Sequence, residues 1–329
     1  MINVGIIGLG GIAKGLHIPQ LQNTGKFFIK AVADIQENNP FFEGLNIPDY
    51  YTDYRKMLED PEIEAVLVLS PHDCHEEHCV AAFNAGKHVL IEKPIARNLK
   101  EANAIMDAHK KSGKIGMIGF CQRFYAEHAY IKSIIDEGKL GQLLSARVDH
   151  YQNFNRQASS WWRNTEKVGG GAVIGSGVHR LDLLRWFMGD VKTVYAKAAY
   201  MPERLEAEAC VHAVIEFKSG AVANFSINWA AYNYMHAEGI SVSGKDGLVV
   251  TKTPGGIFKI GLKDDDKGIL KDSEVPRCQS MYEHFAECIE ENKEPLPSLD
   301  EGYKTLQLVR AIYKSIETGL PVNPEEIDL

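Results

Sequence analysis

The chain is predicted to be an α/β protein: an N-terminal doubly wound parallel sheet, then an α+β domain with a large, mostly antiparallel open sheet. Three observations predict this. A glycine-rich turn sits between two short apolar runs at the N-terminus. Apolar runs then alternate with helical patterns up to Phe120. Beyond Phe120 the runs become β-like and follow one another through short turns.

Ile2-Asn3-Val4-Gly5-Ile6-Ile7 is nearly continuous in apolar residues, as a strand buried on both faces requires. It leads into Gly8-Leu9-Gly10-Gly11-Ile12-Ala13, a G-x-G-x-x-A turn, and then a helix. A second run, Ile29–Ala33, ends on Asp34. Gly8 permits the tight turn, Gly10 lets backbone approach a pyrophosphate, and Ala13 lets the helix pack close to the strand. Free N–H groups of the helix N-terminus face the phosphates. Asp34 follows at close to the spacing of about 20 residues expected of a ribose-binding carboxylate. A carboxylate there accepts from ribose hydroxyls and repels a 2′-phosphate, which favours NAD over NADP.

The runs Ala65–Leu69, His88–Ile91 and Lys114–Phe120 are further strands, with helices over 54–59, 76–85 and 99–111 between them. Gly86 and Gly113 are helix stops. Ligands in such sheets bind outside the carboxyl ends of the strands. That rule selects Ser70, Pro71, Glu92, Lys93, Pro94 and Gln122. Lys93 precedes a proline, which restricts both residues. Its ammonium beside a nicotinamide would polarise a substrate hydroxyl or relay its proton; position alone equally fits a surface lysine at a loop start. In His72–Cys79, the pairs Cys74/His78 and His75/Cys79 share helical spacing but point in different directions. No second cluster follows, so the stretch is read as a helix start without metal.

At 329 residues two domains are expected, 1–121 and 122–329, with the C-terminal helices able to pack back on the first. The net charge of −8 argues against nucleic acid, no apolar run spans a membrane, and a strand starting at Ile2 leaves no room for a signal peptide. The six scattered cysteines read as reduced thiols, hence a cytoplasmic protein.

In the second half, 130–137 is a helix stopped by Gly138. Strands are expected at 143–151, 191–200, 209–217, 221–229, 239–243 and 248–251. Residues 263–274 read as a polar loop, and 281–291 and 300–318 as helices, stopped by Gly319 and Pro321. So much open sheet suggests a partner copy on one face. Between the first two strands, Trp161-Trp162-Arg163-Asn164 precedes Gly169-Gly170-Gly171 and a helix bearing His179 and Asp182, ending at Gly189. An imidazole set against Lys93 would take a proton from a substrate hydroxyl; the same residue also fits a core or interface position.

Gly8-Leu9-Gly10, Ala85-Gly86-Lys87-His88-Val89-Leu90-Ile91-Glu92-Lys93-Pro94, and Gly169-Gly170-Gly171 leading to Gly177-Val178-His179-Arg180-Leu181-Asp182-Leu183-Leu184 together resemble the Gfo/Idh/MocA family. The likeness continues to Gly319-Leu320-Pro321-Val322. It implies a Rossmann domain, then an α/β domain whose sheet builds homodimers or homotetramers. It also implies NAD(P)-dependent oxidation or reduction at a hydroxyl carbon of a sugar, inositol or related polyol. Lys93 and His179 would be the catalytic residues. Gly8, Leu9, Gly10, Gly11, Ile12 and Asp34 would hold the cofactor with Ser70, Pro71, His75, Glu92 and Lys93. Gln122, Trp162 and Arg163 would line the nicotinamide pocket, and Lys93, Arg123, Arg163 and His179 the substrate pocket.

One position departs from the pattern. Family members commonly carry Asp four residues before this histidine, and here stands Gly175. Asp149, His150 or Asn153 would then take its role, or the substrate would differ, or the chain would be an NAD-binding sensor with weak turnover. An enzyme recycling tightly bound NAD is a further alternative.

Overall fold

The computed structural model describes residues 1–37, 39–42, 44–153, 160–203, 205–231, 239–251, 258–263, 268–270 and 275–327. The chain forms two compact units, Met1–Phe120 with Gln279–Tyr303, and Cys121–Cys278 with Lys304–Leu329.

In the first unit, β1 (Ile2–Ile7), β2 (Phe27–Ala33), β3 (Asp49–Tyr51), β4 (Ala65–Val68), β5 (His88–Ile91) and β6 (Gly116–Ile118) pair in parallel, in the order β3-β2-β1-β4-β5-β6. The order reverses between β1 and β4, the place outside whose carboxyl ends open sheets of this kind bind ligands. β4 and the last three residues of β5 are buried throughout, which is why they read as unbroken apolar runs. Helices α1 (Ile18–Thr24), α2 (Tyr54–Leu58), α3 (His75–Asn84) and α4 (Leu99–Ser112) connect the strands. Asp53 and Asn98 cap α2 and α4 by accepting the N–H of Arg55 and Glu101, and Gly113 ends α4 in the left-handed region. Two features were not expected. β3 is a three-residue edge strand, and the chain makes one π-helical turn, Ala13–His17, before α1.

In the second unit, β7 (Leu143–Tyr151), β8 (Val191–Tyr200), β9 (Glu208–Phe217), β10 (Val222–Asn228), β11 (Gly239–Gly244), β12 (Gly247–Thr251), β13 (Phe258–Leu262) and β14 (Gly268–Leu270) form one sheet. Its order is β14-β13-β12-β11-β7-β10-β9-β8, and only β7 and β10 pair in parallel. The stretch expected to be a polar loop therefore contains β14, which completes the sheet by pairing with β13; residues 264–267 and 271–274 lie outside the described residues. Helices here are α5 (Ala126–Asp136), α6 (Thr165–Val168) and α7 (Val178–Met188), and α7 packs on β7 and β10. Along β7, Ala146, Val148 and His150 are buried, whereas Ser145 and Arg147 are exposed, as period-two alternation requires.

Two helices follow, α8 (Met281–Glu291) and α9 (Leu299–Thr318). Ser280 and Glu283 form a capping box at the start of α8. Phe285 of α8 is fully buried and stacks on Phe27 of β2 at 6.2 Å. Just before α9, Ser298 bridges to Met117 of β6. Among the described residues, no helix is long and apolar enough to cross a membrane.

Buried and half-buried imidazoles give the fold a pH dependence, three of them with large shifts. Burial lowers His78 and His88 to about 4, and burial together with Arg180 takes His128 to about 3. His88 is held neutral for a reason: its Nδ1 accepts the Ile115 N–H at 3.0 Å. In the unfolded chain each takes up a proton near the ordinary value of about 6.5. Below that pH the unfolded state binds more protons, so stability falls as pH drops toward 4. Calorimetric Tm should be level above neutrality and decline below about 6.5. His88→Asn, which keeps the acceptor but cannot titrate, should make the decline shallower by the share of one imidazole.

Candidate active site

On the first unit, the glycine turn is fastened by the carboxylate predicted to read the ribose. Asp34 Oδ2 accepts the Leu9 N–H at 2.8 Å, and Oδ1 accepts the Gln36 N–H at 3.0 Å. A carboxylate offers about four lone-pair sites, so acceptor capacity remains for ribose hydroxyls. Gly8 has φ +96°, and a Cβ there would meet the Leu69 and Ser70 backbone at 3.0 Å, so only glycine fits. A Cβ at Gly10 or Gly11 would meet nothing within 4 Å. The turn thus opens onto space, with glycine backbone lining it, and this cradle fits a dinucleotide pyrophosphate. Leu9 and Ile12 divide the remaining work. The Leu9 side chain is buried and anchors the turn, so only its backbone can serve a cofactor, while Ile12 is exposed.

The ends of β4 and β5 bring Ser70, Pro71, Glu92 and Lys93 into the same unit. His75, expected among the cofactor contacts, is 1% exposed. Its Nδ1 lies 2.8 Å from the Pro94 carbonyl and its Nε2 3.0 Å from the Ser70 carbonyl. The ring therefore braces the two strand-end loops from inside. Burial lowers its pKa, against the opposing pull of the two carbonyls. His78 Nδ1 lies 2.8 Å from Ser70 Oγ. Cys79 is fully buried and its thiol pushed up by burial; burial and Asp73 push Cys74 up to about 11. The His/Cys stretch is thus absorbed into packing.

On the second unit, His179 is half-buried in the first turn of α7, directly after a π-helical turn, Val173–Gly177. Sequence reasoning missed what holds this turn. Glu208 Oε1 accepts the Val173 N–H at 2.9 Å and the Tyr313 hydroxyl at 3.1 Å. Arg123, expected to bind substrate, is instead 3% exposed and forks onto Asp182, Nε to Oδ2 at 2.8 Å and Nη2 to Oδ1 at 2.6 Å. These two donors hold Asp182, and the pair anchors α7. The Gln122 carbonyl accepts from His128 Nδ1 at 2.8 Å, while Gln122 Oε1 is buried with no partner among the described residues. Arg163 is exposed and Trp162 half-buried.

The glycine at 175 is explained by a tryptophan. A Cβ there would come within 2.6 Å of Trp229 Cζ2 and 3.2 Å of Trp162 Cζ3. The indole of Trp229 fills the space a side chain would need. Its Nε1 donates to Ser176 Oγ at 2.7 Å, and Trp162 meets it edge-on at 6.0 Å. Asp149 does not replace the missing carboxylate. It pairs with Arg147 at 2.6 Å, on the sheet face opposite the one that buries His150. Asn153 Oδ1 is buried without a partner among the described residues and remains an available acceptor.

Comparison with known proteins bears on this arrangement. Residues 2–120 match the model of an oxidoreductase family NAD-binding Rossmann fold, and residues 132–323 the C-terminal alpha/beta domain of the same family. The chain is 26% identical to levoglucosan dehydrogenase of Pseudarthrobacter phenanthrenivorans, over 99% of this chain and 92% of that protein. It is 26% identical to myo-inositol 2-dehydrogenase of Thermotoga maritima, over 99% of each. Among solved structures, an aldose-aldose oxidoreductase from Caulobacter crescentus complexed with glycerol superposes with a TM-score of 0.88 at 25% identity, covering 98% of this chain and 99% of that one. A levoglucosan dehydrogenase in complex with NADH and levoglucosan shares the fold, with a TM-score of 0.89 at 22% identity over 99% of this chain and 100% of the other. With both halves matched by paired domain models, the chain belongs to the Gfo/Idh/MocA family of oxidoreductases and carries its NAD-binding Rossmann domain.

Proposed function

We propose that this oxidoreductase moves hydride between nicotinamide and a hydroxyl-bearing carbon of a sugar, inositol or related small polyol. The observation that carries this is the glycine turn, open at Gly10 and Gly11 and fastened by Asp34. Relatives named for levoglucosan, 1,5-anhydro-D-fructose and myo-inositol support the substrate class. The Asp34 carboxylate, with no basic residue directly after it, supports NAD rather than NADP.

When bound, NAD supplies the hydride acceptor in the oxidative direction. His179 takes the hydroxyl proton, and the Lys93 ammonium stabilises the developing alkoxide. Trp162 and Arg163 are pocket residues on this reading. Gly175 favours one second reading, an NAD-binding sensor with weak turnover. Absorbance at the NADH band with a panel of sugars and inositols separates them, since a sensor binds NAD and forms no NADH.

We also propose that the open face of the second unit's sheet pairs with a second copy, giving a homodimer or homotetramer. Tyr195, Val214, Val222 and Leu248 lie exposed on this face beside Arg147, Asp149 and Lys197, an apolar surface carrying both signs of charge.

Three outcomes are expected. Lys93→Met should lower kcat by about 10²–10⁴ while NADH affinity, read by fluorescence titration, stays nearly unchanged; normal turnover would remove Lys93 from the mechanism. Gly175→Asp should lower Tm through its collision with Trp229. Combined with Trp229→Leu, the loss should be smaller than the sum of the two single losses, with a coupling of about 1–3 kcal/mol in a double-mutant cycle. Light scattering should give a dimer or tetramer that Val214→Glu reduces to monomer; a monomeric unmodified chain would end that assignment.

A further inference from the structure

Glu92 follows β5 directly, is 8% exposed, and stands immediately before Lys93. A carboxylate so far out of water needs partners. Its Oε2 accepts the Lys93 backbone N–H at 3.2 Å. Its Oε1 lies 3.1 Å from Nε2 of His17, which is fully buried at the end of the first π-helical turn. The approach is close but not well aligned: Nε2 makes no hydrogen bond of good geometry among the described residues, and Glu92 is the carboxylate that it faces. The other ring nitrogen, Nδ1, lies 2.8 Å from the Tyr282 hydroxyl, and the two rings meet edge-on at 6.0 Å and 86°. Tyr282 is fully buried and comes from α8. Gly119 leaves the carboxylate its space, since a Cβ there would sit 3.1 Å from Oε1.

The hydrogens can be assigned around this chain. With the Nε2–H of His17 turned to the carboxylate, Nδ1 is the acceptor and the Tyr282 hydroxyl donates to it. We propose that Tyr282, His17 and Glu92 form a buried relay that positions Lys93. Tyr282 sets the tautomer of His17, His17 aims its N–H at Glu92, and Glu92 fixes the Lys93 backbone and supplies negative charge beside its ammonium. The groups facing Glu92 are His17, Lys93 and His75. Burial alone would push its carboxyl up, but these three together hold it below the usual carboxylate range. The same negative charge lies beside the Lys93 ammonium, the group that would stabilise an alkoxide. None of the three relay residues need touch substrate; they act through Lys93, and the inference rests on the role proposed for Lys93 above.

The test uses the full chain and two independent readouts. Tyr282→Phe removes one oxygen and keeps the ring packing. On a polyol the enzyme oxidises, it should lower kcat about tenfold, with KM, NADH affinity and Tm nearly unchanged. His17→Leu should lose more, and His17→Gln, which keeps an N–H donor, should recover part of that loss. The second readout is competitive acetylation at pH 8, measured by mass spectrometry for Lys93 against exposed Lys111 of α4. Lys93 should label faster, relative to Lys111, in Tyr282→Phe and His17→Leu than in the unmodified chain. Folded variants with unmodified kcat and an unmodified labelling ratio would overturn the relay. If the unmodified chain oxidises no polyol, the proposed function fails and the labelling ratio alone decides the relay. If His17→Leu does not fold, Tyr282→Phe decides it.

Discussion

The first unit depends on keeping one anion out of water. Glu92 is surrounded by groups that each give something up for it: an imidazole buried at the end of a helical turn, a backbone N–H from the next residue, and a side chain forgone at position 119. Taking a partner away from a buried charge costs more than the ~1–3 kcal/mol of an unsatisfied neutral group, because the charge left behind has no compensation. That penalty links places far apart in sequence. It makes the π-helical turn after the glycines, the end of β5 and the first turn of α8 parts of one arrangement.

The second unit solves the same problem with an arginine. Arg123 and Asp182 are almost fully enclosed, and their two-pronged contact leaves α7 little freedom to rotate. His179 rides on that helix, so its direction is set by a rigid element and not by a loop. Glu208 and Tyr313 do the same for the turn in front of it. His179 and the turn before it are therefore held by buried neighbours of their own unit.

What could be read from the sequence alone follows a physical line. Local patterns were enough for β1, β5, β7, β8 and α8, whose bounds the runs of apolar residues and their flanking turn residues mark directly. They were also enough for the glycine turn with Asp34, since a turn and its neighbouring strand are a short-range matter. β3 escaped notice because three half-exposed residues carry no period, and β14 because its polar surroundings look like loop. The internal partners of His75 and Arg123 were out of reach for another reason. Each is a polar residue next to a strand end, and only the folded chain shows that its partners are Pro94 and Ser70, or Asp182. Gly175 was visible as a departure, but its cause, Trp229, is brought to it by a different strand. The family resemblance identified the oxidoreductase; it could not have supplied these pairings.

The segment 279–303 belongs to the first unit although residues 121–278 precede it. A nascent chain therefore leaves the ribosome with its nucleotide-binding half unfinished. At about 5–20 residues per second, the whole second unit's main stretch takes roughly 10–30 s to be made before α8 emerges. Throughout that interval the surfaces of Phe27 and His17 that Phe285 and Tyr282 will cover stay bare. Cutting the gene after Phe120 would make that exposure permanent, so the cofactor domain of this protein cannot be borrowed as a free-standing module without carrying α8 along.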